Sequence, residues 1–181
     1  EHNLRLALTK QQFELFYQPQ VNSSEKLIGA EALLRWHHPV LGYIPTKEFI
    51  PAAATFGLMP EIGEWVLAQA CKVLQDWSKK EETKDLTLSI NISADHFMQS
   101  NFEHMVIGLV QRYDINPSRL ILEITENIAL NNCASMIEKM HFLSKHGIQL
   151  SLDDFGTGYS SLSYLQKMPI KQIKIDRSFV Q

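Results

Sequence analysis

Four apolar runs in this chain carry polar side chains at one kind of position. Glu31 lies within Ile28-Gly29-Ala30-Glu31-Ala32-Leu33, Asn91 between Ile90 and Ile92, and Glu123 between Leu122 and Ile124. Asp153 and Asp154 close the run Ile148-Gln149-Leu150-Ser151-Leu152. Side chains alternate along a strand, so if the apolar neighbours pack under helices, these polar groups point the other way. Taken singly, each has an ordinary role: Glu31 in a salt bridge, Asn91 as a cap, Asp153-Asp154 in a turn. Taken together, converging carboxylates repel unless positive charge sits among them. An all-oxygen set, with neither Cys nor His, suits a hard cation such as Mg2+ or Mn2+. Lys174, two residues before Asp176 on the last apolar run, adds an ammonium to the same region.

Short strands alternating with amphipathic helices must position these groups. Leu4–Lys10 reads as an entry helix, and Phe13–Val21 and Leu27–Trp36 as strands. The gap Asn22–Lys26 is too short for a parallel crossover, so this pair is expected to form an antiparallel hairpin. Ile62, Trp65, Val66, Gln69, Val73, Leu74 and Trp77 fall mostly on one helical face. Further strands are expected over Leu86–Ser93, Leu120–Thr125, Ile148–Asp153 and Gln172–Asp176, with helices over Phe102–Tyr113 and Cys133–His146 that Gly147 ends. Such alternation implies an α/β fold with a mainly parallel sheet. Six strands in 181 residues allow either an open sheet or a (β/α)₈ barrel lacking its last quarter; a full barrel has eight strands and about 250 residues. Polar groups gathered at the ends of several strands favour the barrel, whose catalytic groups sit at the C-terminal mouth.

Composition narrows the partners. With 45% hydrophobic residues the chain can bury one core, and it reads as a single domain over 1–181. A formal net charge of -3 gives no basic excess for a nucleic-acid polymer. No apolar run is long enough to span a bilayer, so no direct membrane contact is expected. The two cysteines, Cys71 and Cys133, form no CxxC pair or disulfide framework, which fits a reducing, cytoplasmic setting.

The same residues carry a resemblance. Glu31-Ala32-Leu33-Leu34-Arg35-Trp36 resembles the signature of the EAL family. Agreement continues in order through Tyr17-Gln18-Pro19, Phe49-Ile50-Pro51, Gly57-Leu58, Asn91-Ile92-Ser93, Glu123-Ile124-Thr125-Glu126, the run from Asp153 to Leu162, and Lys174-Ile175-Asp176. The resemblance implies a modified TIM barrel with one antiparallel first strand. Two further strand–helix units, one bearing a catalytic glutamate, are then expected past Gln181. It implies hydrolysis of cyclic di-GMP to linear pGpG by a water activated by two divalent ions, Mg2+ or Mn2+. Glu31, Asn91, Glu123 and Asp153 match ligands of one ion, and Asp153 with Asp154 those of the second. Lys174 matches a catalytic lysine near the attacking water, and Glu31, Asp153 and Asp154 share the catalytic assignment. Gln18, Leu34, Arg35 and Asp154 match substrate contacts, and Glu126 anchors the loop after Asp154. A homodimer and fusion to sensory or GGDEF domains are the further family expectations. The alternative is a cyclic di-GMP receptor that binds without cutting. Asp154-Phe155-Gly156 also spells a kinase metal motif, but neither a glycine-rich nucleotide loop nor a His-Arg-Asp loop accompanies it.

Overall fold

A computed structural model describes residues 1–126, 134–156 and 165–179. Cys133 and the run Thr157–Leu162 lie outside the described residues. The elements run α1 (His2–Thr9), β1 (Phe13–Val21), β2 (Leu27–His38), β3 (Gly42–Ile44), α2 (Thr46–Thr55), α3 (Met59–Ser78) and β4 (Thr87–Asn91). There follow α4 (Ala94–Phe97), α5 (Phe102–Arg112), β5 (Leu120–Thr125), α6 (Ala134–Lys145), β6 (Gln149–Phe155) and β7 (Gln172–Ile175).

The expected hairpin forms. Asn22 Oδ1 accepts from the backbone N–H groups of Ser24 and Lys26, both at 3.0 Å, and so closes the turn. β1 and β2 then pair antiparallel with Gln18 opposite Glu31. β2 runs on to His38, beyond the expected end at Trp36, because the short β3 pairs with its last residues. Gly42 takes a φ of 71° there, which opens the tight return. From β2 onward the order is β2-β4-β5-β6-β7, and every pair along it is parallel.

Alternation then sorts the side chains. Leu88, Ile90, Leu120, Leu122, Ile124, Leu150 and Leu152 have 0% exposure and form the core face of β4, β5 and β6. Each contributes about 1.5–3 kcal/mol by burial. The helices meet them with stripes such as Ile62, Val66, Leu67, Ala70, Cys71 and Leu74 on α3. The other face carries Glu31, Ser89, Asn91, Glu123, Ser151 and Asp153 at matching register.

One distance fixes the curvature. Lys174 Nζ on β7 lies 2.9 Å from Glu31 Oε2 on β2. In a flat sheet these strands would be four spacings apart, about 19 Å. The sheet therefore curls so that both side chains point toward a common axis, the arc of a modified TIM barrel with β1 antiparallel to its neighbour.

Candidate active site

The parallel strands end together at one mouth, and the polar residues sit there because of register. Asn91 is the direct neighbour of Glu123 across β4 and β5. Thr125 is the neighbour of Asp153 across β5 and β6. Asn91 Nδ2 donates to Glu31 Oε1 at 2.8 Å. Lys174 Nζ donates to Glu31 Oε2 at 2.9 Å and Glu123 Oε2 at 2.8 Å, with Asp153 Oδ2 at 3.6 Å. The ammonium thus occupies the point where three carboxylates would otherwise repel.

The electrostatics follow from this sharing. Burial alone would push the Lys174 ammonium down, but hydrogen bonds to Glu123 and Glu31 outweigh it and raise its pKa above the ordinary lysine range. Glu123 moves up as well, first through burial and further through Glu31 and Asp153, against the pull of Lys174. One cation divided among three carboxylates does not offset the burial of this one. Glu123 is 1% exposed, and its Oε1 has no hydrogen-bond partner among the described residues.

β6 breaks its regular pleat at this point. Leu152 pairs with Ile173 but Phe155 with Ile175, so one extra residue lies on β6. Asp154 takes a φ of 55°, and its N–H donates to Asp153 Oδ1 at 3.0 Å. A bulge of this kind re-aims side chains, and it frees two adjacent aspartates from strict alternation. The Asp154 carboxyl is held above its usual range by burial, then by Asp153 and Asp176, with Lys174 opposing. Glu126 is 1% exposed, and its Oε2 accepts the Gly156 N–H at 2.8 Å.

Not every expected residue joins the cluster. Gln18 faces it from β1. Arg35 lies two alternations beyond Glu31 on the same face, with its guanidinium 5.5 Å from the centre of the Phe16 ring. The Leu34 side chain packs against the core instead, and Leu34 offers this region only its carbonyl, which accepts Arg35 Nη1 at 2.8 Å. Ser89 and Ser151, both fully buried and with hydroxyls that have no hydrogen-bond partner among the described residues, are additional residues beneath the cluster. Their sequence signal was present: each stands two residues before a polar strand end, and so on the same face.

The donor set is all oxygen, and a buried carboxylate oxygen is left without a partner among the described residues, which fits a divalent cation chemically. Among the described residues no three His, Cys, Asp or Glu side chains stand at metal-ligand spacing. Lys174 holds the centre.

Residues 1–181 match the EAL domain family model. This chain belongs to the EAL domain family. Over 180 residues the domain is 42% identical to the bifunctional diguanylate cyclase/cyclic di-GMP phosphodiesterase MucR of Pseudomonas aeruginosa, covering 99% of this chain and 26% of MucR. Over 174 residues it is 37% identical to a second cyclic di-GMP phosphodiesterase of that organism, covering 96% of this chain and 29% of the relative. The chain thus spans about a quarter of the length of these relatives. The solved structure of the PaMucR phosphodiesterase in complex with c-di-GMP matches this EAL domain with a TM-score of 0.95 at 42% identity, covering 99% of this chain and 72% of that one.

Proposed function

We propose that this EAL domain hydrolyses cyclic di-GMP to linear pGpG, with two divalent ions, Mg2+ or Mn2+, as cofactors. The observation that carries the reading is the Lys174 ammonium set among Glu31, Glu123 and Asp153 from four strands at one barrel mouth. The phosphodiesterase names of the relatives, and the c-di-GMP bound by PaMucR, support the substrate class.

The residues divide the work as follows. Glu31, Asn91, Glu123 and Asp153 would hold one ion, Asp153 and Asp154 the other, and Asn91 presents its oxygen after a half-turn of its amide. When bound, such a pair lowers the pKa of a shared water and offsets charge on the phosphate oxygens. Lys174 brings an ammonium to the same mouth, where it orients the attacking water and stabilises charge that develops at phosphorus. Gln18 and Arg35 flank the cluster and hold the substrate, the guanidinium matching phosphate geometry. The Leu34 carbonyl holds Arg35, and that is its contribution to substrate binding. Asp154 would contact the substrate as well, and Glu126 would keep the bulge in place through Gly156.

The whole protein is proposed to be cytoplasmic at this domain, to carry sensory or GGDEF domains, and to pair as a homodimer. No described helix is long and apolar enough to cross a membrane.

The test uses the full-length protein with cyclic di-GMP and Mg2+ or Mn2+. Metal-dependent release of pGpG that disappears in Glu31→Ala supports the reading. Tight binding of cyclic di-GMP without any cleavage would replace it with a receptor.

A further inference from the structure

The bulge that carries Asp153 and Asp154 is gripped from two sides at Gly156. On one side Glu126 Oε2 accepts the Gly156 N–H. On the other lies the ring of Phe179, from the turn that follows β7. The Gly156 φ is +100°, and a Cβ built there would lie 2.7 Å from Phe179 Cε2 and 2.8 Å from Cζ. The ring therefore rests directly on the face of the glycine where a side chain would stand, and only glycine admits both the φ and the contact. The turn that presents Phe179 is itself tied down. The Phe179 N–H donates to Asp176 O at 3.1 Å, and the Ser178 N–H to Asp176 Oδ1 at 2.9 Å. The Asp176 N–H reaches Phe155 O at 3.4 Å. Phe179 is nonetheless 60% exposed, so burial in the core does not account for its seat.

We infer that Phe179 is a positioning residue for the acidic pair. Its ring closes a clamp with Glu126 on Gly156, and the clamp sets the bulge that aims the carboxylates of Asp153 and Asp154. Phe179 follows Lys174 by one short strand end and a turn, so one segment delivers the ammonium and fixes the carboxylates it meets. Tolerances in metal and phosphoryl-transfer sites are tight, and groups that orient ligands typically change affinity or activity about 10–100-fold when removed. The inference rests on the metal-dependent reading above.

The test uses the full-length protein with Phe179→Ala, Phe179→Leu, Gly156→Ala and the double variant Gly156→Ala/Phe179→Ala. Hydrogen exchange at residues 153–156 reads the clamp without metal or substrate. Exchange of the Gly156 amide should rise about 10-fold in Phe179→Ala and return toward the parent in Phe179→Leu. Mn2+ titration by calorimetry should show about 10-fold weaker binding in Phe179→Ala, with kcat falling by a similar factor and KM within about twofold. Because the two residues touch, the losses should be non-additive: removing the ring from Gly156→Ala relieves the collision and costs little more. Unchanged exchange in Phe179→Ala overturns the clamp. Raised exchange with Mn2+ affinity and kcat both at parent values overturns its positioning role. A parent that neither binds Mn2+ nor cleaves cyclic di-GMP overturns the proposed function instead, while the exchange data still decide the clamp.

Discussion

His96 supplies the sharpest test of the packing. It sits in α4, just after the strand that carries Asn91, and is 3% exposed, with Nδ1 unpartnered among the described residues. Its ring meets Phe102 edge-on, centroids 4.9 Å apart at 87°. Burial lowers its pKa from 6.5 to about 4. The folded state therefore refuses a proton that the unfolded chain accepts. Between pH 6.5 and 4 the unfolded state binds more protons, so stability falls as pH falls through that window. The displacement from 6.5 to about 4 corresponds to at most about 3 kcal/mol, fully lost only below pH 4. The perturbation is acidification of the parent and of His96→Leu, and the assay is urea unfolding at steps between pH 7.5 and 4. Carboxylates titrate in both proteins and cancel in the difference. The parent should lose up to about 3 kcal/mol relative to His96→Leu on going from pH 7 to pH 4. Parallel stability curves would refute the reasoning, because they would mean the folded protein protonates His96 as freely as the unfolded chain does.

Gly63→Ala should destabilise by about 1–3 kcal/mol, since its Cβ would lie 2.1 Å from His96 Nδ1. In a His96→Ala background the same change should stabilise α3 by up to about 1 kcal/mol, and thermal melts of the four proteins give the cycle. Lys174→Ala should lower kcat for cyclic di-GMP about 10²–10³-fold, and Lys174→Arg should not rescue it, because a planar fork does not replace a compact ammonium. Leu122→Ala, at a fully buried core position, should cost about 2–5 kcal/mol in urea melts. Cys71, fully buried with its thiol pushed up to about 12, should resist maleimide until the protein unfolds, read by mass spectrometry in a Cys133→Ser background.

The sequence announced features governed by local rules. The five residues Asn22–Lys26 could only return the chain antiparallel, and the apolar neighbours of Glu31, Asn91 and Glu123 fixed their inward face. Features that need a partner far along the chain were illegible. β3 has three residues and exists only because β2 offers an edge, so no period could announce it. β6 was expected to end at Asp153 but continues through Asp154 to Phe155, because β7 pairs with it on both sides of the bulge. Leu34 sits in the signature, yet alternation sends its side chain away from Glu31 and Arg35. The lodging of His96 against Gly63 joins two helices whose sequences show no sign of each other.

Lys174 and Glu31 meet across 143 residues of sequence, and Lys174 and Glu123 across 51. During synthesis β2, β5 and β6 leave the ribosome before the residue that neutralises them. Pairings of such long range are slow to form and close large loops when they do. Without β7 the carboxylates of Glu31, Glu123 and Asp153 would face one another without the Lys174 ammonium, and their repulsion would oppose closure. Docking of β7 supplies the ammonium that offsets this repulsion. The cluster therefore ties β7 to β2, β5 and β6 at once, so its ion pairs exist only in an arc whose strands have all taken their places.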